Sequence, residues 1–125
     1  MSAAFKSYRD LEVWQRSMRL AKRVYQATQK FPVDERFGLT NQLRRASVSV
    51  PSNLAEGHAR FGPGEFSRFI SIAMGSVAEI ETQILLSTDL GYLKEELSHE
   101  ILGELETIGK MLRGLAKAIA KRRHV

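Results

Sequence analysis

Four cations, Arg16, Arg19, Arg23 and Lys30, recur at spacings of 3, 4 and 7, and four more, Lys110, Arg113, Lys117 and Lys121, at 3, 4 and 4. On a helix that advances ~100° per residue, each set falls in an arc of roughly 60° to 80°. A line of guanidinium and ammonium groups at this pitch suits contact with successive phosphates of a polyanion. Neither line has aromatic residues interleaved to stack on unpaired bases, so the expected contact is with backbone, RNA or DNA, and independent of sequence. A second reading stands beside it: outward faces of amphipathic helices are ordinarily solvated. Cations in the last turns of a helix also complement its dipole, as Glu95, Glu96 and Glu100 would at the start of the same helix. Arg44, Arg45, Arg60 and Arg68 add further positive charge. Arg44 and Arg45 are expected to pair with Glu56, Glu79 or Glu81, within the chain or across a subunit boundary.

Other reactive side chains do not assemble into a recognisable catalytic pattern. Glu96 and His99 match one Glu-x-x-His motif of a di-iron bundle, but the motif occurs once and both residues point away from the Leu97 and Ile101 side. His58, His99 and His124 share no evident site, Ser47, Ser49 and Ser52 have no placed base, and Gly62-Pro63-Gly64 lacks the lysine of a phosphate loop. The expectation is therefore no catalytic residue, no metal and no cofactor.

Long helices would position these residues. Leu39, Leu43, Ala46, Val50, Leu54 and Gly57 form one side of a helix within Gly38 to Arg60, with Pro51 in its middle. A proline there removes a backbone donor and crowds the carbonyl of Ser47, at ~3 kcal/mol, so a kink is expected rather than a stop. Ser47, Ser49, Ser52 and Asn53 could hydrogen-bond the loosened carbonyls. Upstream, Met1 to Arg9 reads as frayed, with Phe5 and Tyr8 as anchors. A first helix starts near Asp10 on a seam of Leu11, Trp14, Met18, Ala21, Tyr25 and Thr28 and ends at Phe31-Pro32. Val33 to Gly38 is a connector in which Asp34 could cap a single turn.

The break at Arg60 to Gly64 leads to a third helix, seamed by Phe66, Ile70, Ala73, Val77, Ile80, Ile84 and Ser87, that closes at Gly91. A fourth begins between Leu93 and Leu97 and repeats through Ile101, Leu105, Ile108, Leu112, Leu115 and Ile119. Four such helices with short connectors predict an all-α, antiparallel up-down-up-down bundle over residues 1–125. The 125 residues are 43% hydrophobic and 26% charged, with net charge +5, no cysteine and a pI near 9.8. This is the balance of one ordinary globular domain with anionic partners favoured. No apolar run of ~18 residues and no signal peptide is read, which gives the expectation of a cytoplasmic protein without a membrane.

Part of the surface is neither core nor charged. Val48 shares a column with Asn41, Arg45, Ser52 and Glu56, and Ser71, Gly75, Ala78 and Thr82 make a small-residue column on the third helix. With apolar surface around Phe69 and Ile72, these residues predict a helix-to-helix subunit interface formed by Val48, Ser52, Phe69, Ile72 and Gly75, and a cyclic ring would satisfy it. Gly103, Gly109 and Gly114 each cost about 1 kcal/mol of helix propensity and make sense where another backbone comes close.

The stretch Gly38 to Arg60, DLEVWQ at Asp10 to Gln15, EFSRFISIAMGSVAEIETQI at Glu65 to Ile84, and LGYL at Leu90 to Leu93 together resemble a known family. It is that of the four-helix-bundle proteins encoded in intervening sequences of bacterial 23S ribosomal RNA genes. The same bundle is similar to the accessory variability protein of diversity-generating retroelements. That resemblance implies a homopentamer, nucleic-acid binding and, in the retroelement branch, a reverse transcriptase as partner.

Overall fold

A computed structural model describes residues 7–60 and 62–123, the side chains of 122 and 123 excepted. The Phe5 anchor, Phe61 and His124 of the sequence reading lie outside the described residues. Four helices follow in order: α1 (Glu12–Thr28), α2 (Leu39–Ala59), α3 (Pro63–Asp89) and α4 (Glu95–Arg123). Each packs antiparallel on its predecessor, and α1 meets α4 more loosely to close the ring of four. The expected all-α four-helix bundle is the fold.

Local chemistry explains the ends. Ser7 caps a 3-10 turn at Tyr8–Asp10: its hydroxyl accepts the Arg9 amide and the Asp10 carboxylate accepts the Ser7 amide. These residues, assigned above to a loose terminal segment or to α1 itself, are thus wound just ahead of α1, and Tyr8 meets Trp14 edge-on at 5.3 Å. Between α1 and α2 a second 3-10 turn, Val33–Glu35, brings the Glu35 carboxylate back to accept the Leu39 amide at 3.0 Å. Glu35, not Asp34, is therefore the acidic residue that serves a helix start here. Its other oxygen accepts the Tyr92 hydroxyl at 3.1 Å. Burial first, then this carboxylate, holds the Tyr92 phenol above its usual pKa. Gly91, at φ 82°, turns the chain out of α3, a conformation that costs a side-chain-bearing residue more.

The core is a stack of aliphatic residues from all four helices, with Leu20, Leu43, Ile80 and Leu112 among those fully buried. Each contributes about 2 kcal/mol through the apolar surface it removes from water. α2 runs without interruption through Pro51, which is buried. Asn53 donates to the Ser49 carbonyl at 2.7 Å, one of the side-chain bonds expected around the proline. Where α2 meets α3 the contact is close: a methyl placed on Gly57 would lie 2.6 Å from the Phe69 Cβ.

The phase of α1 differs from the sequence reading. Its buried residues are Val13, Ser17, Leu20, Ala21, Val24 and Thr28, so that of the expected seam Leu11, Ala21 and Thr28 are buried and Trp14, Met18 and Tyr25 are not. At ~100° per residue, the buried face is rotated by roughly 75° from the expected one. Ser17 and Thr28 can enter the core because their hydroxyls donate to the Val13 and Val24 carbonyls of their own helix. Trp14 is left half-buried, and Met18 and Tyr25 remain 46% and 43% exposed.

Candidate nucleic-acid interface

The rotation of α1 decides what becomes of its cations. A basic arc drawn opposite the Trp14 seam is not opposite the true core, so Arg16 and Arg23 stand on the flank that meets α4. There Arg16 donates from Nη1 to Glu104 at 3.2 Å and from Nε to Glu12 at 3.0 Å. Those bonds, Glu12 first, hold its guanidinium above the ordinary arginine pKa. Arg23 donates to Glu100 at 3.2 Å. Arg19 and Lys30 are exposed and make no ion pair with a described residue. Lys30 borders a cavity of about 440 Å³ between α1 and α4 together with Arg23 and Lys94.

On α4 the phase agrees with the sequence reading. Ile101, Leu105, Ile108, Leu112 and Ile119 are buried, and Lys110, Arg113, Lys117 and Lys121 are exposed on the other side. Lys110 alone of the four has a carboxylate within reach among the described residues, Glu106 at 3.3 Å, and both partners are 69% exposed. A pair so exposed to water neutralises little. From Lys110 to Val125 the chain contains no aspartate or glutamate, whereas Glu95, Glu96, Glu100, Glu104 and Glu106 all precede it. α4 is therefore acidic in its first half and basic in its second, the polarity that its own dipole favours. The two basic lines do not fuse into one cationic surface, because Glu100 and Glu104 occupy the α1–α4 seam.

Of the remaining arginines, neither Arg44 nor Arg45 forms an ion pair with Glu56, Glu79 or Glu81 within the chain. Arg44 pairs with no carboxylate among the described residues. It donates to the Thr28 hydroxyl at 2.8 Å and to the Tyr25 carbonyl at 3.3 Å, and its guanidinium lies 4.8 Å from the centre of the Tyr25 ring, so it ties the end of α1 to α2. Arg45 is exposed. Arg60 reaches Glu56 at 2.8 Å and Glu65 at 3.2 Å, and Arg68 reaches Glu65 at 3.1 Å. Glu65 is held below the usual carboxylate pKa, by Arg68 first and Arg60 second. The two guanidinium groups lie 4.9 and 4.6 Å from the centre of the Phe69 ring.

That ring corrects one of the predicted interface residues. Phe69 is only 6% exposed, sealed against Gly57 and under two arginines, so the surplus apolar surface assigned to it belongs elsewhere. Val48, Ser52, Ile72 and Gly75 are exposed. Val48 and Ser52 line a groove of about 480 Å³ between α1 and α2, whose other wall is Trp14, Met18 and Tyr25. Sequence reasoning missed this groove because it assigned Trp14, Met18 and Tyr25 to the core. α3 carries an 18-residue window of mean hydropathy 1.4, long and apolar enough to cross a membrane by length and composition, with 44% of the window buried in the bundle. No such run was read from the sequence. The window arises because Ser71, Gly75, Ala78 and Thr82 stand where an outer helix face usually bears charge. Glu96 and His99 are both exposed, and no group of three His, Cys, Asp or Glu among the described residues could hold a metal ion.

Fold and surface thus define a four-helix bundle with a row of exposed cations, Arg113, Lys117 and Lys121, along the second half of its last helix and further exposed cations, Arg19, Lys30 and Arg45 among them, on α1 and α2. Residues 9–114 match the model of the 23S rRNA-intervening sequence protein family, and the chain belongs to that family. Its fold is similar to that of a protein of unknown function from the S23 ribosomal protein family of Bacteroides thetaiotaomicron VPI-5482. The TM-score is 0.78 at 22% identity, over 84% of this chain and 95% of that one. No curated protein matches the chain.

Proposed function

We propose that this protein is a non-enzymatic nucleic-acid-binding adaptor that contacts phosphates through cations left unpaired by its own fold. The observation that supports this most is the row Arg113, Lys117 and Lys121, exposed and without an ion-pair partner among the described residues. Arg19 and Lys30 add to it from α1, while Arg16 and Arg23 are partly neutralised. Binding of this kind loses affinity steeply with salt, with a log–log slope near −0.9 for each phosphate neutralised on duplex DNA. Titration of a labelled duplex across a salt series tests it, and a flat salt response or no binding at low salt overturns it. Assistance to a reverse transcriptase is the form this role takes in the retroelement branch that the sequence resembles.

A second reading, a protein-interaction module that associates with itself, is favoured by the apolar groove between α1 and α2 and the neutral face of α3. Together they expose Met18, Tyr25, Val48 and Ile72. Two different faces on one molecule suit head-to-tail contacts that close into a ring. The family resemblance makes that ring a homopentamer. Mass measured in solution at micromolar concentration tests the assembly, and a monomer there removes it.

A further inference from the structure

The outer face of α4 contains two glycines that the fold does not use. A methyl built on Gly103 or Gly114 would meet nothing within 4 Å. They contrast with Gly57, where the same methyl would strike Phe69. A glycine inside a helix weakens it relative to alanine, and the usual compensation, close approach of another backbone, is absent around these two within the chain. Gly103 and Gly114 are eleven residues apart, which at ~100° per residue returns them to the same side of the helix. Gly114 lies on the side that carries Lys110, Lys117 and Lys121.

From this, and resting on the nucleic-acid reading above, we infer that α4 from Lys110 to Lys121 is the phosphate-contact face, with a duplex backbone lying directly against the helix at Gly114. A bare Cα there lets a sugar-phosphate strand approach more closely than any side chain would permit. Arg113, Lys117 and Lys121, about 6 Å apart per four residues of helix, then reach phosphates on either side of that point. The occupant is a duplex rather than an unpaired strand because binding single strands relies on exposed aromatic platforms. Among the described residues the exposed aromatic side chains, Tyr25 and Phe37, belong to α1 and to the turn before α2. RNA and DNA duplexes share the phosphate chemistry, and the test separates them.

The probes are a fluorescein-labelled RNA duplex, its DNA counterpart, and a polyuridine strand of the same length, each titrated with the full chain across a salt series. Three variants are compared: Gly114→Ala, Gly114→Gln, and the triple change Arg113→Gln, Lys117→Gln, Lys121→Gln. Glutamine has a higher helix propensity than glycine, so Gly114→Gln should unfold at a higher temperature than the parent chain. It should nevertheless bind a duplex roughly tenfold more weakly, because its side chain holds the backbone away and reduces the number of phosphates within reach. Gly114→Ala should be stabilised at least as much, since alanine has the higher helix propensity, and should lose less affinity. The triple change should flatten the salt slope by roughly 2 to 3. Gain of stability with loss of affinity at one residue is a result that a merely structural glycine does not give. Unchanged duplex binding in Gly114→Gln and in the triple variant overturns the face, and polyuridine bound more tightly than either duplex overturns the choice of ligand. Failure of the parent chain to bind any of the three probes overturns the underlying functional reading instead.

Discussion

α1 and α4 carry basic lines that look alike in the sequence and end in different states. Arg16 and Arg23 lie against Glu104 and Glu100, whereas Arg113, Lys117 and Lys121 have no such partner among the described residues. The cause is not the cations themselves. α1 presents them on the flank that meets the acidic half of α4, and α4 presents its own beyond that half, where Glu106 pairs with Lys110 and, with Glu81 of α3, borders the pocket lined by Arg113 without an ion pair to it. A basic stripe is therefore not yet a binding surface; what faces it across the helix seam decides how much of its charge reaches solvent.

If partial neutralisation is what separates the two lines, it can be undone. Replacing Glu100 and Glu104 by glutamine should free Arg23 and leave Arg16 paired with Glu12 alone among the described residues, without moving either far, since glutamine keeps an acceptor oxygen for the same hydrogen bonds. Affinity for a duplex at low salt should rise by roughly threefold or more, and the salt slope should steepen by roughly 1, the increment for the one cation fully released. The double variant also relieves a mixed-charge seam that helps to hold α1 on α4, so a lower denaturation midpoint with an unchanged m-value should accompany the gain. Should affinity stay where it was, position rather than pairing distinguishes the lines, and α1 does not face the nucleic acid at all.

Much of this architecture was legible. The apolar repeats of α2, α3 and α4 gave the correct buried faces, and turn residues such as Gly62-Pro63 and Gly91 marked the correct breaks. α1 was misphased in part, for a physical reason: Trp14, Met18 and Tyr25 are larger and more apolar than Ser17, so an apolar repeat favours them, while Leu11, Ala21 and Thr28 of the same seam are buried as expected. The bundle buries the Ser17 hydroxyl instead, since a Ser or Thr bonded to its own helix carbonyl arrives in the core already satisfied. For the candidate site, spacing proposes residues without telling how they are paired. Charge and spacing nominated all eight cations, yet pairing across helices depends on how α1 is rotated about its axis, and that follows from the misread seam. Arg44 was misassigned similarly. A charged partner was expected, and it caps the C-terminal end of α1 through neutral oxygens and the face of an aromatic ring.

The same contrast can be sharpened at the level of single pairs, where the effects are smaller. Arg16–Glu104 joins two helices, with side chains 31% and 26% exposed, while Lys110–Glu106 lies along one helix with both partners 69% exposed. Screening by water and the entropy of holding a long lysine in one rotamer leave little coupling in the second pair, whereas the first has a planar fork partly shielded from solvent. Double-mutant cycles by urea denaturation, with Arg16→Met and Glu104→Gln in one cycle and Lys110→Met and Glu106→Gln in the other, should show clear favourable coupling in the first. The second should fall near zero. Raising the salt concentration should reduce the first only in part, because a half-buried pair is less open to counterions than an exposed one. Equal coupling in both cycles would mean that Arg16 is no more committed to its carboxylate than Lys110 is. The line on α1 would then have to be counted with α4 as available to phosphate.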